Sequence, residues 1–138
     1  MIFVDTGAWI AIEDKKDANH EKAMEFKNKI LISRSRLITT NYILDETYTL
    51  MLMNTGYGKT IDFKYKLDQF ISNNLLIIYY VNIEIEKYSW EVFEQFNRDK
   101  IWSFTDCTSK VVMEKLGLIE VFAFDRHFEH MGFLRKPQ

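Results

Sequence analysis

The stretch LLIIYYV, residues 75–81, is an unbroken apolar run of strand length. A strand without polar alternation offers no face to water, so it belongs in a sheet covered on both sides. IFVD at residues 2–5 and IEVFAF at 119–124 share this character, and RLITT at 36–40 is strand-like. The segments between them carry helical spacing. Phe63, Leu67, Phe70 and Ile71 fall at i, i+4, i+7 and i+8, which predicts an amphipathic helix over 60–73. Strands alternating with helices predict an α/β fold: a three-layer α/β/α sandwich around a central, mainly parallel sheet. In such sheets ligands gather outside the carboxyl ends of the strands, and that is where chemistry is to be sought.

The other elements follow from caps and apolar spacing. A helix is expected from Gly7 to about Glu13, and a second in residues 15–31 with Asp17 as N-cap. Asn41 is expected to cap a helix running to about Met53, followed by the loop NTGYG at 54–58. A further helix extends to about Arg98 with Ile85, Val92, Phe93 and Phe96 inward. Ser103 opens the next, which Gly117 ends. A helical turn in RHFEHM precedes a last short strand near Phe133. The 138 residues suit one domain spanning 1–138, and the only proline, Pro137, cannot punctuate the chain into two.

Composition narrows the class. At 47% hydrophobic and 28% charged, the chain is expected to be globular and not disordered. One cysteine, Cys107, excludes an intrachain disulfide and fits a reducing cytoplasm. No apolar stretch is long enough to span a bilayer, and an N-terminus carrying Asp5 without a basic region is not a secretory signal, so a cytoplasmic protein is expected. A formal net charge of −2 argues against a generic polyanion-binding surface. With four of the 20 acids assigned to a metal site, 16 remain against 18 bases, and the rest of the surface is mildly basic.

Four acids stand out by position. Asp5 and Asp125 end the first strand and the strand 119–124, at the expected ligand edge. Asp106 has the S-x-x-D spacing of a capping box with Ser103, which anchors it in a first helical turn. Glu46 lies in the uncharged, largely apolar run around NYILDETYTLMLM, early in the helix after the second strand, which is read as offering little solvated face. Each has a structural alternative: Asp5 and Asp125 as helix caps, Asp106 as a capping-box acid, Glu46 as partner of a distant cation. The joint pattern favours a metal site. Carboxylates a few ångströms apart repel and cannot all stay ionised unless a cation sits among them. Oxygen-only ligands suit Mg²⁺ or Mn²⁺, as one or two ions, over zinc. A pair of such ions about 3.5–4 Å apart would activate water and stabilise the leaving oxygen of a phosphodiester displacement. Asp45, about 100° round the helix from Glu46, is read as a rim residue or ion-pair partner.

Other signals are set aside. GYGKT at 56–60 resembles the end of a P-loop, but Met53 stands where the earlier glycine belongs and a helix, not a strand, precedes it. His127 and His130 have no third nitrogen or sulfur partner, so zinc is not expected. Cys107 is read as a small core residue and not a nucleophile. Lys110, one turn after Asp106, and Arg126, beside Asp125, are candidate substrate residues; Arg34, Arg36, Lys59 and Lys100 are further candidates for contact with a substrate phosphate.

VDTGAWIA, the glutamate of ILDET, SFTDC and FAFDRHF, in this order, resemble a PIN domain, and within that family the VapC-type toxins of prokaryotic toxin–antitoxin pairs. DANHEKAMEF matches a D-x-x-H-x-x-A pattern common there, and the resemblance spans essentially the whole chain. It implies a Mg²⁺- or Mn²⁺-dependent ribonuclease acting on single-stranded or loop RNA, a cognate antitoxin and a homodimer. It implies a quartet of Asp5, Glu46, Asp106 and Asp125, supported by Thr6 and Ser103. Within it Asp5 and Asp106 would be direct ligands of a first metal, Asp125 would complete that site or shape a second, and Glu46 would hold or deprotonate the attacking water. Two positions depart from the pattern: Ala123 replaces a frequent threonine, and His127 or Phe128 stands where an extra acid can occur. The competing readings are a catalytically silent RNA- or protein-binding module, a housekeeping RNA-processing nuclease, and a phospho-acceptor receiver domain. The last wants two adjacent acids after the first strand, where this chain has Thr6 and Gly7 after Asp5.

Overall fold

A computed structural model describes residues 1–138. Five strands form one sheet: β1 (Ile2–Val4), β2 (Leu37–Thr40), β3 (Leu76–Tyr79), β4 (Glu120–Phe122) and β5 (Leu134–Lys136). Every pairing is parallel, and the spatial order is β3-β2-β1-β4-β5. Seven helices cover the sheet: α1 (Thr6–Glu13), α2 (His20–Ile32), α3 (Asn41–Thr55), α4 (Tyr57–Ser72), α5 (Ile83–Phe96), α6 (Phe104–Leu116) and α7 (His127–His130). The parallel α/β architecture expected from the apolar strands is therefore present.

The central strand β1 is wholly buried, as is β2. Register pairs Phe3 with Ile38 on one side and with Val121 on the other. The core is continuous across the sheet and includes Phe3, Val4, Leu37, Ile43, Phe63, Phe122 and Phe128, all essentially inaccessible to water. The edge strand β3 is different: only Leu76 is fully buried, and Tyr80 beyond it is exposed. Two buried polar side chains pair where α1 meets the sheet. The Thr39 hydroxyl donates to the Val4 carbonyl at 2.9 Å and accepts from Trp9 Nε1 at 3.4 Å. No helix is long and apolar enough to cross a membrane.

Several local expectations are corrected. Helix α2 begins at His20 with Asn19 at the N-cap position; Asp17 lies outside it, its carboxylate accepting from the Asn19 N–H at 2.8 Å. Thr40, not Asn41, caps α3, its hydroxyl accepting from the Ile43 N–H at 3.1 Å. Asn41 is drawn away instead, its side-chain oxygen accepting from Val81 N–H at 2.7 Å. The stretch 54–58 is not a loop. Gly56 alone breaks the chain between α3 and α4, with φ at 90°, and α4 starts immediately after it. A single residue suffices because glycine reaches this backbone region without a Cβ clash. In α5, Ile85 and Ser89 are the buried residues, while Val92, Phe93 and Phe96 are half-buried.

Candidate active site

The chain runs outward from β1 to β2 and β3, then crosses back to β4 and β5. The direction of winding thus reverses between β1 and β4, and a crevice opens at their carboxyl ends. Asp5 and Asp125 follow those two strands. The Asp5 N–H donates to the Phe122 carbonyl at 3.0 Å, which ties the end of β1 to β4. Helix α3 brings Glu46 from the second strand's side, and the N-terminus of α6 brings Asp106.

The approach to α6 is clamped. Asn97 donates through its amide to the Trp102 carbonyl at 2.9 Å and accepts from the Trp102 N–H at 2.8 Å. Trp102 is buried, so the turn preceding Ser103 is fixed. Ser103 then caps α6 in a complete capping box: its hydroxyl accepts from the Asp106 N–H at 3.0 Å, and Asp106 Oδ2 accepts from the Ser103 N–H at 3.2 Å.

Asp5, Thr6, Glu46, Ser103, Asp106, Asp125 and His127 line one open cleft of about 460 Å³, together with Asp17, Leu50 and Ile101. The four acids singled out by position therefore share a cavity. Lys110 does not face it. Its ammonium is paired with Glu114 and lies 5.7 Å over the Phe96 ring. Arg126 is exposed beside the cleft without an ion-pair partner, and Asp45 is exposed outside it. A second, mostly apolar cavity of about 100 Å³ lies among Trp9, Phe63, Leu67 and Phe70 and contains none of the four acids.

Asp5 sits at the N-cap position of α1 yet makes no capping hydrogen bond. Its carboxyl is buried and pushed up to about 7, first by loss of hydration, then by repulsion from Asp106 and, more weakly, Glu46; the Thr6 and Gly7 amides offset only part of this. Glu46 has no lysine or arginine partner, and none of the four acids has one; the only basic group within reach is His127, at 3.1 Å from Asp106 and 3.4 Å from Asp125. Asp106 is indeed the capping-box acid, and Asp125 Oδ1 accepts the His127 N–H at 2.9 Å, so these two also serve local structure. One premise is corrected: α3 is not enclosed, since Leu50, Leu52 and Met53 are exposed and only Ile43, Leu44, Thr47 and Met51 are buried.

The donor set fits a hard divalent cation. All four side chains are carboxylates, one is pushed up to about 7 by burial and then by its like-charged neighbours, and the Thr6 hydroxyl beside them is buried with no hydrogen-bond partner. No three acidic, histidine or cysteine side chains close into a tight cage. An open arrangement suits Mg²⁺, which retains several waters and takes only one or two protein carboxylates directly. Zinc has no support here. His20 is occupied by the Ala11 carbonyl at 2.8 Å, and Cys107 is enclosed, with its thiol pushed up to about 11 by burial.

His127 and Asp17 are the titratable cleft residues that sequence reasoning did not assign to the site. The two-residue spacing from Asp125 to His127 was visible; its contact with Asp106, 21 positions away, was not.

Comparison with known proteins agrees with this fold. The PIN domain family model matches residues 2–134. The chain is 30% identical over 135 residues to the 23S rRNA-specific endonuclease VapC20 of Mycobacterium tuberculosis, covering 97% of this chain and 96% of that one. It is 33% identical over 126 residues to a VapC ribonuclease of Archaeoglobus fulgidus, covering 91% of this chain and 77% of the relative. The crystal structure of VapC20, a sarcin-ricin loop cleaving toxin, superposes with a TM-score of 0.81 at 29% identity over 97% of both chains. FitAcB from Neisseria gonorrhoeae shares the fold alone, with a TM-score of 0.68 at 12% identity over 98% of this chain and 96% of that one. With the family model matching nearly the whole chain and relatives of 30% identity and above covering most of it, the chain belongs to the PIN domain family.

Proposed function

We infer that the protein is a divalent-metal-dependent endoribonuclease and the toxin of a toxin–antitoxin pair. The observation that carries this reading is the convergence of Asp5, Glu46, Asp106 and Asp125 on one cleft without a lysine or arginine to neutralise them. A silent binding module has no use for such a set, since burial and mutual repulsion push Asp5 up to about 7. The names of the VapC relatives support RNA as substrate, and the description of VapC20 as a toxin supports a partner antitoxin.

Bound Mg²⁺ or Mn²⁺ supplies Lewis-acid polarisation of a phosphate and an activated water. Asp5 and Asp106 would hold a first ion, with Asp125 completing that site or shaping a second. Glu46 would accept a proton from the attacking water, the work of a general base. Ser103 keeps Asp106 in the first turn of α6, and the free Thr6 hydroxyl has capacity for a bound water or phosphate oxygen. Arg126 is the cation nearest in sequence to the site and free to meet an RNA phosphate.

The test is cleavage of single-stranded and stem-loop RNA, including a sarcin-ricin loop fragment of 23S rRNA, in Mg²⁺, Mn²⁺ or EDTA. Cleavage that requires metal and is lost in Asp106→Asn supports the reading. Cleavage in EDTA, or full activity in Asp106→Asn, contradicts it.

A further inference from the structure

We propose that His127 is a positioning residue that fixes the orientation of the Asp106 carboxylate toward the metal. This rests on the metal-nuclease reading and goes beyond the acid quartet. His127 opens α7 and is followed by the fully buried Phe128, which anchors the turn. Its Nδ1 lies 3.1 Å from Asp106 Oδ2 and 3.4 Å from Asp125 Oδ1. Both neighbours are carboxylate oxygens, which only accept, so Nδ1 carries the hydrogen and donates.

Asp106 Oδ2 thus receives two donors, the Ser103 N–H from its own helix and the His127 ring from across the cleft. With Oδ2 held, Oδ1 is the oxygen left for a cation. The backbone N–H of His127 fixes Asp125 Oδ1 in turn, so one residue orients two acids on separate elements. Ligands held by an outer hydrogen-bond partner bind metal more tightly, and loss of such a partner typically lowers affinity by about 10–100-fold.

The experiment measures Mn²⁺ binding to the intact protein by the loss of the free Mn²⁺ EPR signal, with thermal unfolding of the metal-free protein as a check on folding. His127→Ala should lower Mn²⁺ affinity at least about tenfold. His127→Asn, whose amide nitrogen takes the place of Nδ1, should recover most of the loss. Wild-type affinity in His127→Ala overturns the assignment, as does a His127→Asn variant that folds normally and binds no better than the alanine variant. Wild-type protein that binds no Mn²⁺ overturns the metal reading itself and this proposal with it.

Discussion

Replacing Asp5 by asparagine keeps the shape of the side chain and removes its charge. The wild-type carboxyl ionises near 7 in the folded protein and near 3.8 when unfolded. The folded chain therefore binds more protons between those values, and ionisation works against folding. The contribution is harmless below about pH 4 and becomes a cost as pH rises through 7. A displacement of about three pKa units corresponds to about 4 kcal/mol in full, at 1.36 kcal/mol per unit, and more than half of it develops between pH 5 and 8. Asp5→Asn removes that cost, so in EDTA at pH 8 the variant should be more stable than wild type by a few kcal/mol, and the advantage should shrink by about 2–3 kcal/mol at pH 5. Urea denaturation at the two pH values reads this directly. Adding Mn²⁺ should reverse the order at pH 8, because a ligand that binds only the native state stabilises it by RT ln(1 + [L]/Kd). A variant less stable than wild type in EDTA at pH 8, with no change of the difference at pH 5, would refute the idea that Asp5 is a buried, mutually repelled acid.

Because Asp5 must lose its proton to bind metal, Mn²⁺ affinity measured by titration calorimetry should fall about tenfold per pH unit below pH 7. At Gly56, where φ is 90° and a Cβ would meet nothing within 4 Å, substitution by alanine should cost about 1–3 kcal/mol through backbone strain alone, read by urea denaturation, with cleavage retained. Arg126→Ala should weaken RNA binding and reduce the slope of log affinity against log salt by about 0.7, the value for one phosphate contact on a single strand; an unchanged slope places Arg126 off the RNA path.

The sheet, Asp5 and Asp125 were readable in the sequence for one reason. Strands buried on both faces show as apolar runs, and the residue that follows such a run lies at the carboxyl edge of the sheet, as Asp5 and Asp125 do. Asp106 was readable because a capping box is local. What escaped depends on distant neighbours. Asn41 looked like a cap, but Val81 claims its side chain, and Thr40 caps in its place. Gly56 absorbs the whole turn, so five residues that looked like a loop are mostly helix. The exposed Leu50, Leu52 and Met53 make α3 appear buried when half of it is not. Lys110 sits one turn from Asp106, yet Glu114, four residues on, holds it away. His127 meets Asp106 only once β4 and α6 are assembled.

The central claim is that four acids distant along the chain hold a divalent ion between them. Crystals of the protein grown with Mn²⁺, with diffraction recorded at an energy where manganese scatters anomalously, test it most directly. The account predicts an anomalous peak in the cleft, bonded to oxygens of Asp5 and Asp106. A fully occupied peak elsewhere, or none at saturating Mn²⁺, would contradict it.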